Sequence, residues 1–216
     1  MNFCRTFSLF LLGVILCSGI SEQALFSEEP PMSDSANSEQ AIFGGGCFWC
    51  MEAVYQRLDG VISAGPGFTG GHTVNPSYQE VCTGNTGHAE VIRIIYDPQK
   101  ISYETLLEVF WQAHDPTTLN YQGADKGTQY RSAIFYTSDE QKAQAEASLK
   151  AAQGHFEDKI VTEITPLKAF YPAEDYHDNY FARNQEQSYC NFVILPKLKK
   201  LEAKQVIPTV NEEPQK

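Results

Sequence analysis

The chain has 216 residues, 42% hydrophobic and 20% charged. That is room for one globular domain with appendages and excludes a disordered or collagen-like chain. Lys and Arg number 16 against 27 Asp and Glu, a net charge of −11, which argues against nucleic acid as a partner because phosphate binding wants a basic face. Six cysteines are too few to scaffold a chain of this length with disulfides.

Residues 1–21 read as a secretory signal: Arg5, then an uncharged apolar run from Phe7 to Cys17, then small residues to Ser21. The run is short of the ~20 residues a spanning helix needs. An uncleaved anchor and a lipid anchor at Cys17 are weaker alternatives, since the bulky Ile15 and Leu16 precede that cysteine. An exported, periplasmic or secreted protein is therefore expected. Residues 22–39 are acidic and rich in Ser and Pro, a linker. The body is expected over 40–198, and 199–216 as a polar, flexible tail.

Within the body, Ala41–Phe43 is a candidate strand that stops at Gly44-Gly45-Gly46. Met51, Val54, Tyr55 and Leu58 have the spacing of an amphipathic helix ending near Gly60. Val61–Ala64 is a short strand, and 66–87 is a Gly- and Pro-rich loop. Ala89–Tyr96 is a strand. Ser102 caps a helix whose Tyr103, Leu106, Leu107, Phe110 and Trp111 form the clearest helical pattern in the chain. Residues 114–130 are loop, and Ser132–Thr137 is a strand. Ser138 with Gln141 forms a capping box for a helix to Gln153. Ile160–Ile164 is a further strand, 169–188 is irregular, and Val193–Leu195 is a last apolar patch. The order predicts an α+β, two-layer ferredoxin-like (split βαβ) plait with long functional loops and an irregular C-terminal segment.

Three features point to chemistry. Cys47 follows three glycines and opens a helix after a strand, where the helix dipole favours a thiolate. Cys50 stands three residues on, within reach of a one-turn disulfide. A zinc half-site or an inert disulfide is the plainer alternative, but further metal ligands at the usual spacing are missing. Glu90 shares the face of Ile92, Ile94 and Tyr96 on its strand, so burial should raise its pKa and make it a proton donor; a solvated strand-end Glu is the alternative. Tyr78, Asp125, Tyr130, Tyr171, Tyr176 and His177 lie on loops, where phenol hydroxyls could face a developing oxyanion or simply be wet. Phe48 and Trp49 could line a pocket or belong to the core. Cys82, in a Gly-rich loop with no basic neighbour, reads as structural.

Taken in order, Gly46-Cys47-Phe48-Trp49, Gly70-Gly71-His72, Asn75-Pro76-x-Tyr78, Thr86-Gly87-His88-Ala89-Glu90, Tyr96-Asp97-Pro98, His114-Asp115-Pro116, the run from Gln122 to Ser132, and Ala173-Glu174-Asp175-Tyr176-His177 resemble the A-type peptide-methionine sulfoxide reductases from about Ala41 to Lys197. The resemblance implies reduction of the S epimer of methionine sulfoxide, free or in proteins. It implies Cys47 as nucleophile, Glu90 as the acid, and Tyr78 and Tyr130 as hydroxyls on the sulfoxide oxygen. Phe48 and Trp49 would hold the substrate methyl group, Asp125 and His177 would be polar groups of the site, and Cys190 the resolving cysteine. No cofactor and no metal is called for, and a thioredoxin-type reductant is implied. An exported enzyme would instead need a periplasmic thioredoxin-like partner or a membrane thiol relay. A monomer is expected. Three departures stand out: Cys50 replaces a common Gly and is a second candidate resolving thiol, Phe68 replaces a common Tyr, and 184–187 lacks a common Pro. A thioredoxin-like disulfide oxidoreductase and a disulfide-stapled binding module are the rival readings.

Overall fold

The computed structural model describes residues 37–209. The expected signal segment, the linker up to residue 36 and residues 210–216 lie outside the described residues. In chain order the elements are β1 (Glu39–Gly45), α1 (Phe48–Tyr55), β2 (Val61–Thr69), α2 (Tyr78–Cys82), β3 (Ala89–Tyr96), α3 (Tyr103–Ala113), a small hairpin of β4 (Tyr121–Gln122) and β5 (Asp125–Lys126), β6 (Ser132–Tyr136), α4 (Asp139–Ala152), β7 (Glu163–Pro166), β8 (Tyr171–Pro172), α5 (Tyr180–Arg183), a π-helical turn over Cys190–Ile194, and α6 (Leu195–Ala203).

The body is α+β around a central six-stranded sheet in the order β7-β6-β1-β3-β2-β8. Strand β1 runs antiparallel to both β3 and β6, β3 antiparallel to β2, and β7 parallel to β6. Alternation along the strands divides the sheet cleanly. Phe43, Ile92, Ile94, Tyr96 and Ile134 join the main core with α1 and α3. Ile42, Ala89, Val91, Ala133 and Phe135 form a smaller core covered by Leu167 and Phe170.

Helix α3 forms as its pattern dictates. Ser102 Oγ accepts from Thr105 N–H at 3.1 Å, and all five patterned residues are buried. Fully burying each such side chain is worth about 2–3 kcal/mol. Helix α1 departs from an amphipathic reading. It starts earlier, ends at Tyr55, and seven of its residues, including Glu52, are buried, so it is a central helix rather than a surface one. The capping box at Ser138 is half made: Ser138 Oγ accepts from Gln141 N–H, but Gln141 Oε1 accepts from Thr137 N–H.

Four sequence expectations are corrected. Strand β2 continues through Pro66 to Thr69, because pairing with β3 overrides weak local propensity. Part of the 66–87 loop is helix α2, closed by a Ser77–Glu80 capping box. The 160–164 strand shifts to Glu163–Pro166, in a register fixed by its parallel pairing to β6 and the Arg131–Glu163 ion pair at 3.0 Å. The chain from 199 does not fray at once: α6 runs to Ala203, and Leu201 and Ile207 are buried.

Candidate active site

Strand β1 ends in three glycines, and Gly46 turns the chain with φ +88°. A Cβ there would lie 2.6 Å from Gln122 Cγ, so the turn requires glycine. The chain enters α1 with Cys47 as the last non-helical residue, and the Cys47 carbonyl accepts from Cys50 N–H at 3.1 Å. The Cys47 side chain does not cap this helix. Its first N–H, from Phe48, instead donates to Glu90 Oε2 at 3.1 Å. The residue after the cysteine and the carboxyl on β3 are thereby locked together.

Glu90 is 1% exposed. Burial pushes its carboxyl up to about 8 against the pull of the Phe48 N–H, and Asp125 and Cys50 add to the rise. At neutral pH the group is a carboxylic acid, able to give a proton.

The Cys47 and Cys50 thiols titrate as a pair. A hydrogen bond from the Cys47 thiol brings Cys50 down to about 7, opposed by burial and helped by Lys197 and Tyr189. Burial first, then Cys50 and Glu90, push Cys47 up. The pair therefore gives up one proton near neutrality and holds the second. Cys190 is fully buried, and its thiol is raised by burial and then by Cys50. All four described cysteines are free thiols.

Aromatic rings line the site. Phe48 stacks on Tyr78 with centroids 6.1 Å apart and packs on Phe68 at 5.8 Å. Trp49 lies flat on Tyr180, at 3.6 Å and 7°, and its indole N–H donates to His177 Nδ1 at 3.0 Å. His177 is wholly buried, which lowers its pKa and keeps it a neutral acceptor. Tyr78 sits on the short α2, where its N–H donates to Glu174 Oε1 at 3.0 Å. Burial first raises the Tyr78 and Tyr130 hydroxyls well above the usual phenol range, with Glu90 contributing to both. They remain protonated donors. The β4–β5 hairpin carries Asp125, whose Oδ2 accepts from Tyr189 Oη at 2.7 Å. Tyr189 Oη also lies 3.8 Å from Cys50 Sγ.

The structure thus gathers Cys47, Cys50, Glu90, Phe48, Trp49, Tyr78, Tyr130, Asp125, His177 and Cys190 around one helix end. Two of the loop aromatics do not join it as hydroxyl donors: Tyr171 pairs with β2 and packs on His88, and Tyr176 is exposed. Cys82 is also not where the loop reading put it. It lies on α2 one turn after Tyr78. Among the described residues no group of three or more His, Cys, Asp or Glu is arranged to hold a metal ion.

A family model described as peptide methionine sulfoxide reductase matches residues 39–209. A peptide methionine sulfoxide reductase MsrA from Leptospira borgpetersenii is 58% identical over 162 residues, 75% of this chain and 92% of the relative. The chain belongs to the peptide methionine sulfoxide reductase A family. Among solved structures, reduced Mxr1 from Saccharomyces cerevisiae is similar with a TM-score of 0.69 and 36% identity, over 73% of this chain and 91% of that one. Mxr1 in complex with Trx2 is similar with a TM-score of 0.50 and 27% identity, over 68% and 87%. Three further residues of the site in this reductase-family chain, Tyr189, Tyr180 and Glu52, are not legible in the sequence. Tyr189 adjoins Cys190 and Glu52 follows the cysteine pair, but nothing local in either position signals a contact made across the fold.

Proposed function

We propose that this chain reduces the S epimer of methionine sulfoxide, free or in proteins, to methionine. The observation that carries the reading is the link from Phe48 N–H to the buried, protonated Glu90, which ties an acid to the residue beside Cys47. A sulfoxide sulfur is a poor electrophile until its oxygen gains a proton. In this reading the Cys47 thiolate attacks that sulfur while Glu90 gives its proton to the oxygen, with Tyr78 and Tyr130 donating to it. The attack forms a bond between the Cys47 sulfur and the substrate sulfur; the hydroxyl then passes to the Cys47 sulfur as the substrate's sulfur–oxygen bond and the new sulfur–sulfur bond break, so methionine leaves and Cys47 carries the oxygen as a sulfenic acid. The Cys47 sulfur is oxidised by two electrons and the substrate sulfur reduced by two. Phe48 and Trp49 take the substrate methyl group, and Asp125 and His177 act through Tyr189 and Trp49.

Cys50 attacks the sulfenic acid, releasing water and forming a disulfide. Its position one turn from Cys47, whose carbonyl accepts the Cys50 N–H, supports that order, and in this reading Cys190, buried and with its thiol raised by Cys50, then exchanges with the product. An external dithiol restores the thiols and is itself oxidised. The likeness to Mxr1 bound to Trx2 supports a thioredoxin-type donor. Residues 1–21 support export, in which case a periplasmic thioredoxin-like protein or membrane thiol relay takes that place. The core order β6-β1-β3-β2, with β1 and β2 either side of β3, supports the ferredoxin-like plait.

The test is chromatographic assay of methionine released from separated S and R sulfoxides of a blocked methionine, with excess dithiothreitol. Release from S alone is expected. Release from neither epimer, with Cys47 shown to be reduced and alkylatable, overturns the reading.

A further inference from the structure

Glu52 is 1% exposed on α1 and takes no part in the chemistry above. Its two oxygens accept consecutive backbone N–H groups from the strap between β8 and the π-helical turn (residues 173–189), Asn179 at 2.8 Å and Tyr180 at 3.2 Å. One helical turn on, Gln56 Nε2 donates to Asn179 Oδ1 at 3.0 Å. Asn179 is left-handed, with φ +53°, a conformation that presents its own N–H and the next one together and that L residues adopt only with support. Trp49 precedes Glu52 by three residues, so both lie on the same side of the helix. The residue clamped at Tyr180 is the one whose ring lies flat on Trp49.

We infer that Glu52 is a positioning residue for substrate binding, which through Asn179 and Tyr180 fixes the Trp49 wall of the pocket relative to Cys47. The inference rests on the reductase reading. The helix that opens at the nucleophile also grips the strap that completes the pocket. The same strap holds the far edge of Trp49 through His177 and the backbone of Tyr78 through Glu174. Losing the clamp frees the Tyr180 ring while leaving Cys47 and the Phe48–Glu90 link intact.

The experiment compares wild type with Glu52→Gln and Glu52→Ala in two readouts. In single turnover against the S sulfoxide of a methionine peptide, the half-saturating concentration should rise about tenfold in Glu52→Ala, the scale of losing a buried hydrogen bond. The saturated rate should stay within about twofold. Glu52→Gln, which keeps the shape and one acceptor, should fall between wild type and Ala, and it carries the test if the alanine variant does not fold. Amide exchange at Asn179 and Tyr180 should speed up in both variants, a readout that needs no substrate. An unchanged half-saturating concentration, or a saturated rate that falls while affinity holds, overturns the inference. Wild type inert toward the S epimer, with exchange at Asn179 and Tyr180 still accelerated in the variants, sinks the reductase reading and with it the binding role.

Discussion

Replacing Glu90 by Gln separates catalysis from stability at a single residue. The amide oxygen can still accept the Phe48 N–H now bound at 3.1 Å, but the side chain has no acidic proton to give. Loss of a general acid costs 10²–10⁴-fold, so turnover at pH 7 should fall by about that factor. The descending limb of the wild-type rate near pH 8, where Glu90 ionises, should vanish from the residual activity. Stability should move the other way. The carboxyl ionises near 4.5 in an exposed chain and at about 8 when folded, so folding takes up a proton between those values. A raised folded pKa contributes stability that is complete below about 4.5 and is lost as pH rises toward 8. From pH 4.5 to 7 that loss is about 3 kcal/mol, and glutamine does not suffer it. The new amide N–H groups impose a cost of their own, about 1–3 kcal/mol if unpaired, but that cost is the same at every pH. The difference in Tm between variant and wild type should therefore shift in favour of Gln by about 6–12 °C between pH 4.5 and 7. Calorimetry across pH and single-turnover rates are the assays. A Tm difference that does not change with pH, or a variant within tenfold of wild-type turnover, refutes the reasoning.

Other outcomes follow from the same geometry. Alkylation of the reduced protein by iodoacetamide should rise with a midpoint near 7, where the Cys47–Cys50 pair gives up its first proton. Tyr189→Phe, which removes the hydroxyl between Asp125 and Cys50, should move that midpoint up by about one pH unit; an unmoved midpoint removes Tyr189 from the account. Cys50→Ser should still release one methionine per chain in single turnover and accumulate the Cys47 sulfenic acid, whereas Cys190→Ser should yield a Cys47–Cys50 disulfide on peptide mapping. A variant lacking Cys50 that forms its disulfide at the wild-type rate assigns resolution to Cys190 instead. Leu201→Ala should cost about 2–5 kcal/mol in urea unfolding, because that side chain is buried; a loss under about 0.5 kcal/mol would mark the segment as peripheral.

The parts of the fold legible in the sequence are those whose signals are local. Ala89–Tyr96 was readable residue for residue because β-branched residues run between a glycine loop and Asp97-Pro98. Helix α3 was readable because its cap and apolar stripe agree. Strand β2 was cut short at Gly65-Pro66-Gly67, a turn-like triplet. Tertiary pairing overrides it, and a Cβ at Gly67 would strike the Phe170 ring, so the small residue there serves packing against the second core. The Ser77–Glu80 box was present in the sequence and was masked by the glycines around it. Leu201 continues the helical spacing of Ile194 and Leu198, but Lys199 and Lys200 before it give the chain from 199 the look of a solvated tail.

The site divides in the same way. Cys47 and Glu90 could be proposed from position alone, one opening a helix and the other on the buried face of a strand. Tyr189, Tyr180 and Glu52 could not. Their partners Asp125, Trp49 and Asn179 lie 64, 131 and 127 residues away, so only the fold brings them together.

The proposed chemistry turns on whether the Cys47 sulfur takes the oxygen from an S sulfoxide. The most direct measurement uses the reduced Cys50→Ser, Cys190→Ser double variant, which leaves Cys47 without a resolving partner. It would be given one pulse of each epimer without external thiol, with methionine counted and the oxidised cysteine located by mass spectrometry after sulfenic-acid trapping. The account predicts one methionine per chain from the S epimer, none from R, and the trapped oxygen on Cys47 alone. Methionine release with Cys47 left as a thiol, or the trapped oxygen on Cys82, would contradict it.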